Sequence, residues 1–394
     1  LKRIISIITA ILAVILFVIF FPFGKATISP ESNSDKPSKS EQKQNPPSKL
    51  QIAAFGDIMM HTPQIKAGAL GGNNYDFRSF FKEVKPYISQ ADIAIGNFEM
   101  TLAGPSKPYS GFPQFNAPDQ IVDALKDSGV DVVSTSNNHA MDTGEDGAIR
   151  THKVVNERGI KTTGTSPTAE KRKPLIVEKN GIKVAFLAYT ELTNGIPVPS
   201  NKPYLVDLIG DGTGIAKDIA QAKKEGAELV CVSLHWGVEY QRKPNTSQKS
   251  IAEKVFKAGA DVIFGSHPHV LQPMEKMNVD GKEKYIIYSM GNFVSNQKDP
   301  YTDEGVIVYV DVEKDSKTNE VKLKEFSFLP TFVHKYQANG KLQYAIIPTP
   351  KQEATNLPYP GLSASKWKSV WNNTVSHVSP GEAIPVYANP VQKQ

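Results

Sequence analysis

SQKSIAEKVFKAGADVIFGSHPH, residues 247–269, is the stretch that decides the fold. Ile251, Ala252, Val255 and Phe256 recur at the three- and four-residue spacing of a helix with one apolar face. Gly259 follows, the residue type best able to adopt the left-handed conformation that ends a helix. ADVIF (260–264) is then a short apolar run without strict alternation, as expected of a strand covered on both faces. It stops abruptly at Gly265-Ser266-His267-Pro268-His269. The stretch reads helix, glycine, buried strand, polar loop.

Working outward, the pattern recurs. DQIVDALKDS (119–128) and IAKDIAQAKKE (215–225) have helical spacing and lead through Gly129 and Gly226 into VDVVST (130–135) and ELVCVSL (228–234). Those runs stop at Ser136-Asn137-Asn138-His139 and at His235-Trp236-Gly237. QIAAF (51–55) stops at Gly56-Asp57, ADIAI (91–95) at Gly96-Asn97-Phe98-Glu99, and KYIIYSM (284–290) at Gly291-Asn292-Phe293. Helix alternating with strand predicts an α/β body. In open α/β sheets ligands sit at the carboxyl ends of the strands. Asp57, Glu99, Asn138, His139, His235, His267 and His269 all fall at such ends and are expected to converge. Histidine, carboxylate and amide together make the ligand set of a hydrolytic site with divalent metals, and several such ligands can hold two ions about 3.5–4 Å apart.

Each residue also has an ordinary reading. Asp57 can cap a loop, Glu99 can pair with a Lys or Arg, and Asn137 and Asn138 are common turn residues. His139 can be a hydrogen-bonded buried histidine, and Asp142 a carboxylate that orients it. His61, Glu239, Tyr240, Gln272 and Asn292 adjoin these clusters, as substrate contacts, supports or turn residues. Trp236 reads as site wall or core. Cys231, the single cysteine, lies in a buried strand and behaves as a small hydrophobe; it excludes an intramolecular disulfide framework and a multi-cysteine metal site.

The two ends differ from the body. IISIITAILAVILFVIFFPF (4–23) is uncharged and long enough, at about 1.5 Å per residue, to span a bilayer. Lys2 and Arg3 precede it, which predicts a cytoplasmic N-terminus and an extracellular body on a retained single-pass signal-anchor (1–23). Residues 24–49, rich in Pro, Ser, Lys and Gln, read as a disordered stalk. Lys2, Arg3 and the five lysines of 24–49 against three acids account for four of the five net positive charges, so the body is nearly neutral and nucleic acid is not an expected partner. The body is expected to run over 50–345. Residues 346–394 form a Pro-rich extension, with a short helix over SASKWKSVWNNTV (363–375) that packs Trp367 and Trp371 on the body.

GDIMMH (56–61), GNFE (96–99), NNHAMD (137–142), HWGVEY (235–240), GSHPHVLQP (265–273) and YSMGNFV (288–294) resemble, in order, the motifs of CapA (PgsA-type) capsule and poly-γ-glutamate biosynthesis proteins, which in turn resemble calcineurin-like metallophosphoesterases. The resemblance covers about 50–330. It implies a metallophosphoesterase-like sandwich of two β-sheets flanked by helices, with two divalent ions (Mn, Fe or Zn) between the sheets' loop ends. It implies Asp57 as first acidic ligand, Glu99 as bridging acid, Asn138 as amide ligand, His139 as proton donor, and His235, His267 and His269 as imidazole ligands. Two departures from the phosphoesterase pattern leave open one ion or two. The first motif has Asp57 with His61 four residues on, and the second carries Glu99 where Asp is usual.

The function so implied is a membrane-anchored protein in synthesis, export or anchoring of an anionic capsule polymer, with synthase or export components as partners. A metal-dependent phosphoesterase acting on an envelope component is the alternative, and a non-catalytic partner of a membrane synthase a third reading.

Overall fold

The computed structural model describes residues 46–387 apart from 339, 355–356 and 383. The expected membrane span and most of the expected stalk lie outside the described residues. Among the described residues no helix is long and apolar enough to cross a membrane.

In chain order the strands are β1 (Ser48–Ile58), β2 (Ala69–Gly71), β3 (Asn74–Tyr75), β4 (Ile93–Phe98), β5 (Val132–Ser134), β6 (Lys161–Thr163), β7 (Leu175–Lys179) and β8 (Ile182–Thr190). There follow β9 (Leu229–His235), β10 (Val262–Ser266), β11 (Met274–Val279), β12 (Lys282–Ile287), β13 (Asn292–Val294), β14 (Glu304–Lys314), β15 (Val321–Ala338) and β16 (Lys341–Pro348). One sheet has the order β16-β15-β14-β1-β4-β5-β6, with β13 also paired to β1; the second has the order β11-β12-β10-β9-β8-β7. Strands β1, β4, β5 and β6 run parallel, as do β8, β9, β10 and β12. Antiparallel strands close the flanks: β14, β15 and β16 on the first sheet, β7 and β11 on the second.

The two-residue side-chain period of a strand sorts these residues into layers. Leu50, Ile52 and Ala54 of β1 share one core with Leu229 and Cys231 of β9 and with Val306, Val308 and Val310 of β14. That core lies between the sheets. Ala53 and Phe55 face the other way, onto the helices Arg78–Phe81, Gln120–Asp127 and Gly144–Glu157. Val230, Val232 and Leu234 turn toward the helices Thr213–Lys224 and Thr246–Ala258. The result is a helix–sheet–sheet–helix sandwich, in which each fully buried Val, Leu, Ile or Phe contributes roughly 1.5–3 kcal/mol.

Gly129, Gly226 and Gly259 have φ of +93°, +94° and +109°, the conformation expected of them between helix and strand. The acid near each strand's start acts on the neighbouring strand. Asp92 accepts the Gln51 N–H at 2.9 Å, Asp131 that of Ala94 at 3.0 Å, Glu228 that of Lys183 at 3.0 Å and Asp261 that of Val230 at 2.9 Å.

The expected boundary between body and C-terminal extension, at 345/346, falls inside β16. Beyond it the helix Ala364–Val378 packs Trp367 and Val370 against Phe332, Ala345 and Ile347, while Val375 and Val378 complete the core between the sheets. Its last turn reaches two loops at the strands' carboxyl ends: the His377 Nε2–H lies 2.9 Å from the Arg242 carbonyl and 3.0 Å from that of Leu271.

Candidate metal centre

Asp57 is the next-to-last residue of β1, and its position depends on Gly56. The Asp57 N–H donates to the Gly291 carbonyl at 3.0 Å, and a Cβ on Gly56 would stand 1.9 Å from that oxygen. Only glycine lets β1 approach this closely. Asn97 and Glu99 follow from β4, Asn138 and His139 from the loop after β5, His235 from the last position of β9, and His267 and His269 from the loop after β10. The first sheet therefore supplies the carboxylates, the amides and the His139 ring, and the second the other three imidazoles.

All of these side chains are buried. Two groups have ligand atoms within 4.8 Å of one another: Glu99 with His235 and His267, and Asp57 with Glu99 and His269. Glu99 belongs to both. Its Oε1 lies 3.6 Å from His235 Nε2 and 3.8 Å from His269 Nε2, and it is buried without a hydrogen-bond partner. Around His235 Nε2 stand Asn138 Oδ1 at 2.8 Å and His267 Nδ1 at 3.2 Å. His269 Nδ1 lies 3.1 Å from both Asp57 Oδ2 and Asn292 Oδ1. Two oxygen acceptors at Nδ1 place the proton there and leave the Nε2 lone pair facing Glu99.

The electrostatics follow from burial. Burial pushes Glu99 well above the usual carboxylate range, and the neighbouring Asp57 charge adds to it. Asp57 behaves oppositely. Burial alone would raise it, but the hydrogen bonds from His269 and Asn97 hold it below its usual value. Burial and the neighbouring imidazoles keep His235 well below its usual value and bring His267 down to about 4. His235 and His267 are therefore neutral at neutral pH, as ligands must be. Two adjacent buried carboxylates, one orphaned oxygen and three imidazoles are a donor set that fits divalent cations.

Other residues flank this cluster. Asp142 Oδ2 lies 2.7 Å from His139 Nδ1 and also accepts the Phe115 N–H at 2.7 Å. The Phe115 ring meets His139 edge-on at 4.7 Å. His61 is outside both ligand groups: it stands edge-on to Phe115 at 5.2 Å and accepts the Asn296 N–H at 3.3 Å, and burial, with repulsion from His269, brings it down to about 4. Asn292 donates to Gln297 at 2.7 Å and to the Thr302 carbonyl at 2.8 Å. Glu239 is exposed at the rim. Tyr240, 44% exposed and at φ +65°, has its ring 6.3 Å from that of His269. Gln272 does not reach the cluster: its buried amide binds the Gln241 carbonyl and Gln248. Trp236 is core, its indole N–H on the Tyr288 carbonyl at 3.0 Å.

Two residues escape the sequence reading. Asn97 joins the halves of the site, with Nδ2 donating to Asp57 at 2.8 Å and lying 3.2 Å from His235 Nδ1. Asn194 accepts from Asn138 at 3.2 Å and approaches the His139 ring at 3.4 Å. Its signal was present, since AFLAYT (185–190) is another apolar run that stops at a polar loop.

Residues 51–297 match the family described as bacterial capsule synthesis protein PGA_cap. The chain is 33% identical over 271 residues to "Capsule biosynthesis protein CapA" of Bacillus anthracis, covering 66% of this chain and 63% of that one. It is 33% identical over 270 residues to "PGA biosynthesis protein CapA" of Bacillus subtilis (strain 168), covering 67% and 68%. It thus spans less than two thirds of the length of the first of these relatives. Among solved structures it is similar to the calcineurin-like phosphoesterase YfkN from Bacillus subtilis, at 15% identity and TM-score 0.46 over 84% of this chain and 99% of that one. It is also similar to a phosphatase from Mycoplasma pneumoniae, at 16% identity and TM-score 0.43 over 73% and 94%. These structural likenesses are too distant to carry a site or an activity across. The family match covers most of the described body and takes in every buried site residue from Asp57 to His269, and the chain belongs to the bacterial capsule synthesis protein PGA_cap family.

Proposed function

We propose that this chain is a membrane-anchored extracellular protein that works in making, exporting or anchoring an anionic capsule polymer, poly-γ-glutamate, through a divalent-metal hydrolytic centre. Family membership and the relatives' names support the polymer. The uncharged run at 4–23 behind Lys2 and Arg3 supports the anchor. The observation that carries the metal centre is the buried Glu99 Oε1, without a hydrogen-bond partner between two imidazole nitrogens. An orphaned carboxylate oxygen there is costly unless a cation fills the space.

Asp57, Glu99, Asn138, His235, His267 and His269 would hold two ions, of Mn, Fe or Zn, with Glu99 shared. Such ions, when bound, supply Lewis acidity and a water of lowered pKa. The chain's own part in the reaction falls to His139. Asp142 accepts the Nδ1–H of His139 and orients the ring, so that Nε2 would deliver its proton to the leaving atom from the doubly protonated form, while Asn194 limits the tilt of the ring. The same His139–Asp142 pair suits a leaving oxygen as well as a leaving amine, which supports the second reading, a phosphoesterase acting on an envelope component.

The test is metal content per chain of the full-length protein in detergent, beside His267→Ala/His269→Ala and His139→Ala. We expect about two ions in wild type, loss in the double variant and retention in His139→Ala. Turnover of a γ-glutamyl amide or a phosphodiester should fall by roughly 10²–10⁴ in His139→Ala. A folded chain that takes up no metal on reconstitution sinks the hydrolytic reading and leaves a non-catalytic partner of a membrane synthase.

A further inference from the structure

Beside the metal centre lies an open pocket of about 450 Å³, walled by residues 297–303 on one side and by 332–335 and Lys366 on the other. It is two side chains away from a ligand. His269 contacts Asn292, Asn292 donates to Gln297 Oε1 at 2.7 Å, and Gln297 lines the pocket. Lys335 donates to the Gln297 carbonyl at 2.8 Å from the opposite wall. That uses one of its three N–H groups.

The charges here are unevenly matched. Lys366 is paired with Asp303 at 2.7 Å. Among the described residues no carboxylate lies within 4.0 Å of the Lys335 or Lys298 nitrogen. The remaining acid of the pocket, Asp299, lies toward Tyr240. The half-buried Lys335 and the exposed Lys298, with spare donors beside apolar Phe332, favour an anion that accepts from both.

We propose that this pocket is an anion subsite, in which Lys335 and Lys298 hold a carboxylate of a chain-like polyanion while a neighbouring linkage of the same chain lies over the metal centre. This rests on the polymer reading above. A ligand that reaches both places needs anionic groups repeated along its length, which a γ-linked glutamate chain has and a simple phosphomonoester lacks.

The experiment is binding of a labelled, short γ-linked glutamate oligomer to the full-length protein in detergent, reconstituted with Mn²⁺, read by fluorescence anisotropy. Lys335→Gln/Lys298→Gln should weaken binding by about tenfold or more, with metal content and melting temperature unchanged. Lys335→Arg should keep it, and Asp299→Asn should tighten it. Unchanged affinity in the double variant, with binding lost only on chelation, overturns the subsite and leaves the polymer reading standing. Absence of binding to wild type overturns both. Polyphosphate of equal length that binds as well or better overturns the carboxylate assignment.

Discussion

His267 and His269 hold the backbone at φ +98° and +58° on either side of Pro268. A side chain rarely accepts such angles, and each costs of order 1–3 kcal/mol where the surroundings enforce it. Here the enforcement aims both rings at one buried carboxylate, so local stability is given up for ligand geometry. Protons are the competing ligand. His267, lowered to about 4, stays neutral in the fold while the unfolded histidine titrates near its ordinary 6.5. Between those values the unfolded chain binds more protons, so the stability His267 contributes is whole above about 6.5 and lost as pH falls toward about 4. In the chelator-treated protein, the advantage of wild type over His267→Gln should therefore shrink on acidification across that window. Urea unfolding at stepped pH reads it, and an advantage that stays constant removes the assignment. Glu304 has the opposite sign: burial pushes it up to about 7, so its contribution is lost as pH rises from 4.5. The clustering of these side chains was legible because histidine and carboxylate at strand ends have few other uses. Asn97 was not, since an asparagine inside GNFE has an unremarkable backbone role to fall back on, and nothing in the local sequence says that Asp57 and His235 will flank it.

At the scale of elements, the helix–glycine–strand units were legible because each carries its own stop and start. The acid at the start of each strand adds a register key that periodicity does not show. Asp131 and Asp261 each satisfy an N–H of the neighbouring strand. Asp131→Ala and Asp261→Ala should each cost about 1–3 kcal/mol, since a donor loses its partner at the sheet's interior edge. Asp→Asn, which keeps an acceptor, should recover part of that. The denaturant midpoint, at unchanged slope, is the measurement; a cost equal to that of an exposed Asp elsewhere would refute the role. The antiparallel meander β14–β16 was not legible. Pro330 lies within β15, and proline argues against a central strand. The structure accommodates it because β16 pairs with β15 only from Thr331 onward, so the missing N–H falls where the third strand has already ended.

Across the whole molecule the centre is a tie between two sheets. Each sheet packs its own helices, and the buried cluster draws its side chains from both. A bound ion that recognises the native arrangement alone stabilises it by RT ln(1 + [L]/Kd), about 2.7 kcal/mol at a hundredfold excess over Kd. Added Mn²⁺ should therefore raise the melting temperature of the chelator-treated chain. The rise should vanish equally for Asp57→Ala, from the first sheet, and His235→Ala, from the second. A rise that survives one of these and not the other would place the ion within a single sheet. The fold class was legible at this scale. The way the helix Ala364–Val378 closes the core between the sheets was not, because its apolar side is short and its partners are distant in sequence.

The split of ligands between the sheets also sets an order in time. Asp57 and Glu99 emerge early from a ribosome or a translocation pore, and the imidazoles they await are the last of the cluster to appear. A chain interrupted between Glu99 and His267 has its carboxylates and lacks the partners that complete either ligand group. An ion held by either group would therefore be captured late, by a chain already made and folded past residue 267.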